Sequence, residues 1–108
     1  MKWYKVFNTV EEAKQVVAIN SLQLLTIKKT RICLAHTPSG FFAVDNACPH
    51  LGESLHKGKL NYLNEIICPW HTYRYNLKSG VECDHRGENL KRYALKINDS
   101  GFFIGLKD

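Results

Sequence analysis

No stretch of this sequence stays apolar for the roughly 20 residues that a membrane-crossing helix requires. The opening residues Met1-Lys2-Trp3-Tyr4-Lys5-Val6-Phe7 contain neither the apolar core nor the small-residue cleavage site of an export signal. These absences predict a soluble, cytoplasmic chain with no membrane partner. Arginine-rich tracts, internal repeats and low-complexity segments are missing as well, so no nucleic-acid partner is expected. Proline is scarce, at three residues, and two of them, Pro49 and Pro69, stand directly after cysteine. Cysteine numbers four. In a reducing compartment thiols serve metals or cores more readily than disulfides.

What remains is the composition of one globular domain spanning residues 1–108, with 44% hydrophobic residues. The net charge of +5 comes from basic residues spread along the chain. Such a surface steers acidic partners towards it.

Periodicity predicts an all-β fold. Trp3 to Phe7 alternates weakly, as an opening strand does. Thr9 with Glu12 three residues on is a capping-box pattern, which predicts one short N-terminal helix over about Val10 to Val17. Strands are expected at Gln23–Ile27 and Arg31–His36 around a Lys28-Lys29-Thr30 turn, then at Phe41–Val44 after Pro38-Ser39-Gly40. Glu65–Ile67, Tyr73–Leu77, Val81–Cys83, Leu90–Ile97 and Phe102–Leu106 read as further strands, with turn residues at Lys78-Ser79-Gly80 and Asn98-Asp99-Ser100-Gly101. Short strands at this spacing argue for an antiparallel sandwich or barrel. Its base would be roughly residues 1–44 and 77–108, and residues 45–76 would form a small inserted subdomain.

That insertion holds two related phrases, Cys48-Pro49-His50 and Cys68-Pro69-Trp70-His71. Each offers one thiolate and one imidazole. Two Cys on one iron and two His on the other are the ligands of a Rieske [2Fe–2S] cluster. Two ferric ions, two sulfides and two thiolates sum to zero charge, and neutral imidazoles add none. Such a site accepts an electron more readily than an all-Cys one, with potentials of about −150 to +300 mV. The electron is expected on the iron held by His50 and His71. Pro49 and Pro69 stiffen the two loops, and Gly52 suits a backbone angle closed to other residues. Leu51 and Trp70 would form an apolar rim around the His edge.

The run Phe42-Ala43-Val44-Asp45-Asn46-Ala47-Cys48-Pro49-His50-Leu51-Gly52, with Leu55, Gly58, Ile67-Cys68-Pro69-Trp70-His71 and Leu77-Lys78-Ser79-Gly80, resembles a Rieske-type ferredoxin. The resemblance implies the Rieske β-sandwich with its cluster-binding subdomain. It implies one [2Fe–2S] cluster per chain, ligated by Cys48, His50, Cys68 and His71. It implies electron relay from a flavin-dependent reductase to a terminal oxygenase or other redox protein, with no catalysis by this chain alone. Rieske proteins of respiratory and photosynthetic complexes bridge their cluster loops with two more cysteines. Glu53 and Trp70 stand at those positions here, which points to the soluble, lower-potential branch. Tyr73 replaces a serine of those proteins, and the Tyr75 hydroxyl is placed to reach a Cys ligand. Thr72 stands where Gly is common, and Asp84–Asn89 replaces a proline-bearing covering loop.

Plainer readings compete. Cys₂His₂ also suits structural zinc, although zinc fingers pair Cys with Cys within one short phrase. A small subunit of a larger redox enzyme such as nitrite reductase, or an iron–sulfur redox sensor, would use the same ligands. Cys33 and Cys83 read as small buried hydrophobes. His36 and His56 read as surface or turn residues. His85 reads as a solvated loop residue or a donor near the cluster, and Lys57, Lys59 and Arg74 as solvated charges.

Overall fold

The computed structural model describes residues 1–107. In chain order it contains β1 (Lys2–Phe7), α1 (Val10–Val16), β2 (Ser21–Ile27), β3 (Thr30–Thr37), β4 (Gly40–Asp45), β5 (Lys59–Leu60), β6 (Glu65–Ile67), β7 (Arg74–Asn76), β8 (Arg92–Asn98) and β9 (Gly101–Leu106). A single 3₁₀ turn covers Leu55–Lys57. The strands form two antiparallel sheets. One is six-stranded, in the order β1-β9-β8-β4-β3-β2; the other is three-stranded, β5-β6-β7.

Local chemistry explains the boundaries. Thr9 caps α1 by accepting the Glu12 amide at 3.0 Å. Glu12 reaches back to the Asn8 amide, at 3.5 Å, rather than to that of Thr9. Only the first half of the expected capping box therefore forms. The β2–β3 hairpin turns on Lys28 and Lys29 alone, both at positive φ (49° and 70°), with Ile27 paired to Thr30. Two successive left-handed residues give the twist that matches flanking strands.

β3 reads Ile32-Cys33-Leu34-Ala35 without alternation because both of its faces are covered. Ile32 and Leu34 join Phe7, Ala13, Val17, Ala43, Phe102, Ile104 and Leu106 in a core beneath α1. Cys33 and Ala35 face a second core with Val44, Leu55, Ile66, Tyr75, Leu77, Leu90 and the thiols of Cys48 and Cys68. Each fully buried Leu or Ile contributes about 1.5–3 kcal/mol. One strand thus joins the apolar base to the region carrying the two cysteine phrases.

Several expectations change. β2 begins at Ser21, because the chain reverses at Asn20, whose amide bonds to the His36 carbonyl at 2.6 Å. Val81–Cys83 is not a strand: only Tyr75 and Glu82 bridge, before the chain enters the next loop. The two-residue β5 is too short to show a period. His36 is buried rather than superficial. Its Nδ1 donates to the Val17 carbonyl at 2.8 Å and its ring stacks on Phe41 at 4.1 Å.

Candidate metal centre

β4 ends at Asp45 and delivers the first loop. Asn46 anchors it while buried. Its amide donates to the Arg31 carbonyl at 3.1 Å, its own carbonyl accepts from Leu55 at 2.8 Å, and its Oδ1 accepts from the His56 amide at 2.9 Å. His56, expected at the surface or in a turn, lies in the Leu55–Lys57 turn and is half-buried. The Cys48 amide then donates to the Glu53 carbonyl at 2.9 Å while the Gly52 amide returns to the Cys48 carbonyl at 2.7 Å. Gly52 has φ +73°, as the tight return requires.

The second loop leaves β6 and re-enters at β7. It is closed by the Cys68 amide on the Tyr73 carbonyl at 2.8 Å. His71 and Thr72 both take positive φ, 61° and 52°. Left-handed backbone at residues bearing side chains costs about 1–2 kcal/mol each. Thr72 therefore adopts the conformation for which glycine is suited, and its hydroxyl donates to the His71 carbonyl at 2.8 Å.

The two loops bring the four sequence-predicted donors together in pairs. The thiols of Cys68 and Cys48 are buried in the same core. The rings of His50 and His71 stand 5.6 Å apart. Burial, then the neighbouring Cys48, pushes the Cys68 thiol up to about 11. A cation is needed to hold such a thiol deprotonated at neutral pH. His50 Nδ1 is buried without a hydrogen-bond partner, a costly arrangement unless a ligand meets it. Among the described residues, no three His, Cys, Asp or Glu side chains group as ligands of a single ion would. A pair of thiols and a pair of imidazoles suit a divided, two-metal unit.

The surroundings differ from side to side. The Tyr75 hydroxyl lies 3.3 Å from Cys48 Sγ at the buried end. Burial, then contact with Cys48, raises the Tyr75 pKa above its usual value. The phenol therefore stays a donor. His71 is exposed, with its ring 5.5 Å from that of Trp70, and Leu51 and Trp70 are themselves 63% and 51% exposed. Tyr73 packs face to face on His50, with ring centroids 4.0 Å apart.

Residues 2–94 match the Rieske [2Fe-2S] domain. This chain belongs to the Rieske domain family. The family's cofactor is a [2Fe–2S] cluster, and the paired thiols, paired imidazoles and orphan His50 nitrogen fit that group. The Rieske chain is 32% identical over 78 residues to the 3-phenylpropionate/cinnamic acid dioxygenase ferredoxin subunit of Photorhabdus laumondii, covering 71% of this chain and 74% of that protein. It is 34% identical over 83 residues to the methanesulfonate monooxygenase ferredoxin subunit of Methylosulfonomonas methylovora, covering 77% and 68%. Its fold matches the ferredoxin of carbazole 1,9a-dioxygenase from Nocardioides aromaticivorans IC177 with a TM-score of 0.81 over 99% of this chain and 100% of that one, at 14% identity.

The Rieske domain also uses polar residues that sequence reasoning passed over. Glu82 is buried and accepts from the amides of Asp84 (3.2 Å) and Arg86. Glu65 accepts from Asn61 at 2.8 Å and Arg74 at 3.0 Å. Burial pushes both carboxyls up, but the donors around each outweigh it and hold them below the usual carboxylate range. Cys83 is not the inert hydrophobe expected: its thiol donates to Glu65 at 2.9 Å. Burial, then Glu65, pushes it up to about 11. Cys33 meets the expectation, fully buried and pushed by burial to about 12. Arg74, read as a solvated charge, is held between Glu65 and Asp84, the latter at 3.4 Å. His85 is exposed, and its neighbour Arg86 covers Tyr73. The one signal available in sequence was the opposite charges of Glu82 and Arg86, four residues apart.

Proposed function

We propose that this chain is a soluble one-electron carrier that binds one [2Fe–2S] cluster, with Cys48 and Cys68 on one iron and His50 and His71 on the other. The observation that carries the assignment is the pairing itself: two thiols buried in one core, and two imidazoles adjacent, from two separate loops. The cluster, when bound, supplies reversible one-electron chemistry at a potential set by its mixed ligands.

The protein's residues do the rest. Tyr75 donates to the Cys48 sulfur and stabilises negative charge there. Tyr73 screens one face of His50 from water. His71, Leu51 and Trp70 offer an edge from which a partner can exclude solvent. That edge suits the partners of the ferredoxin subunits to which the chain is similar. A flavin-dependent reductase would donate the electron and a terminal oxygenase would accept it, in the cytoplasm, with no role for membrane or nucleic acid. The whole chain acts as one domain, residues 45–76 being the cluster-binding subdomain on a base of residues 1–44 and 77–108.

Electron paramagnetic resonance of the dithionite-reduced protein tests the ligand set. A mixed His/Cys spectrum is expected, and it should vanish in His50→Ala and His71→Ala. An unchanged spectrum in either variant would refute the assignment, and an iron-free, zinc-loaded protein would refute the carrier.

A further inference from the structure

Arg86 sits in the loop that follows Glu82, far in sequence from both cysteine phrases, yet it joins them in space. Its guanidinium carbon lies 3.7 Å above the centre of the Tyr73 ring. Tyr73 in turn stacks on His50, the planes within 9° of parallel. Charge, ring and imidazole form one column.

The column is anchored from behind. Glu82 accepts the Arg86 amide and also contacts its guanidinium at 3.5 Å. Asp84 contacts the same guanidinium at 3.6 Å. Backbone and side chain of Arg86 are thus pinned to one buried carboxylate. The loop has no proline to stiffen it, and Glu82 performs that task.

We propose that Arg86 is a positioning residue for the metal centre: through Tyr73 it fixes the plane of the His50 imidazole and holds a permanent positive charge above it, favouring the reduced state. This rests on His50 being a ligand, as proposed above. A guanidinium stays charged at every working pH. One face is against the ring rather than water, so its field is screened less than that of a free surface charge. Glu82 and Asp84 offset part of that charge. When Arg86 is neutralised they remain, and the local field turns negative.

The test is the midpoint potential of the cluster-loaded protein and its variants at one fixed pH. In Arg86→Gln the one-electron equilibrium should move towards the oxidised form by severalfold to about tenfold, tenfold being about 59 mV. Arg86→Lys, which keeps the charge, should recover at least half of that shift. High salt should shrink the difference between Arg86→Gln and the parent. Tyr73→Ala removes the platform and should shift in the same direction as Arg86→Gln. The Tyr73→Ala measurement decides the matter if Arg86→Gln loads poorly. A potential within twofold of the parent in Arg86→Gln or Tyr73→Ala, or no recovery in Arg86→Lys, overturns the proposal. A parent protein lacking the mixed His/Cys signal would instead overturn the ligand assignment, so the two failures are distinguishable.

Discussion

The two cores of this molecule are built on opposite principles. The core beneath α1 is apolar throughout, with Phe102 edge-on to both Phe7 and Phe41 at 5.4 and 5.1 Å. Strands of six to eight residues, β1, β2, β3, β4, β8 and β9, enclose it. The core beside the cysteine phrases contains three thiols, of Cys33, Cys48 and Cys68, and a phenol, and its own strands have two or three residues. Short strands make few ladder bonds. Asn46, Asn61, Asn76, Glu65 and Glu82 replace them with side-chain bonds to loop backbone or to neighbouring side chains. The base is stable through burial, which is additive and forgiving. The site region depends on a polar framework and on what its thiols and imidazoles hold.

The largest effect should come from removing the cluster. Hydrogen exchange of the cluster-free protein should show amide protection at Gly52 and Cys68 falling by orders of magnitude, while β3 and β9 change little. Equal loss in both regions would mean that the contrast is false. Phe102→Ala should strike the base instead, lowering unfolding free energy by about 3–5 kcal/mol. Denaturant unfolding checks this, and the folded fraction should keep the electron paramagnetic resonance spectrum of the parent.

Glu82→Gln sharpens the polar half of the comparison. The folded pKa of Glu82 lies below its value in the unfolded chain. Its stabilisation is therefore complete above the ordinary carboxylate range and is lost as pH falls below that range, through the depressed folded pKa. At neutral pH the variant should be less stable by about 1.5–3 kcal/mol, the scale of hydrogen bonds to a charged group. Thermal midpoints of parent and variant, measured down to acid pH, should converge. A constant gap would exclude the ionised carboxylate as the cause. The smallest effect belongs to Thr72→Gly. Relief of the left-handed backbone should raise stability by about 1 kcal/mol. It should leave the spectrum unaltered, read by thermal melting beside resonance.

The contrast between the cores also explains what could be read from sequence. Strands around the apolar core announce themselves, because Gly101–Leu106 and Gly40–Asp45 are long enough to show apolar runs between turn signals. The Cys-Pro-X and Cys-Pro-X-X spacing marked the four donors because metal chemistry restricts residue type so tightly. The supporting residues were not legible. His36 looked polar, and its burial depends on Phe41 across a strand pair and on Val17 at the end of α1. Cys83 looked apolar, and its role depends on a carboxylate 18 residues earlier. Arg86 was passed over because its partner Tyr73 lies across a loop whose path no local pattern records. β5 failed for length alone. A polar framework is written in tertiary geometry, whereas an apolar core is written in period.

The most direct test of the central claim is pulsed electron paramagnetic resonance of reduced protein labelled with ¹⁵N in histidine only. Two coupled histidine nitrogens should appear at the cluster, and they should persist when His36, His56 and His85 are each replaced by Gln. A reduced cluster with no histidine nitrogen coupling, or one whose coupling disappears with any of those three residues, would contradict the account.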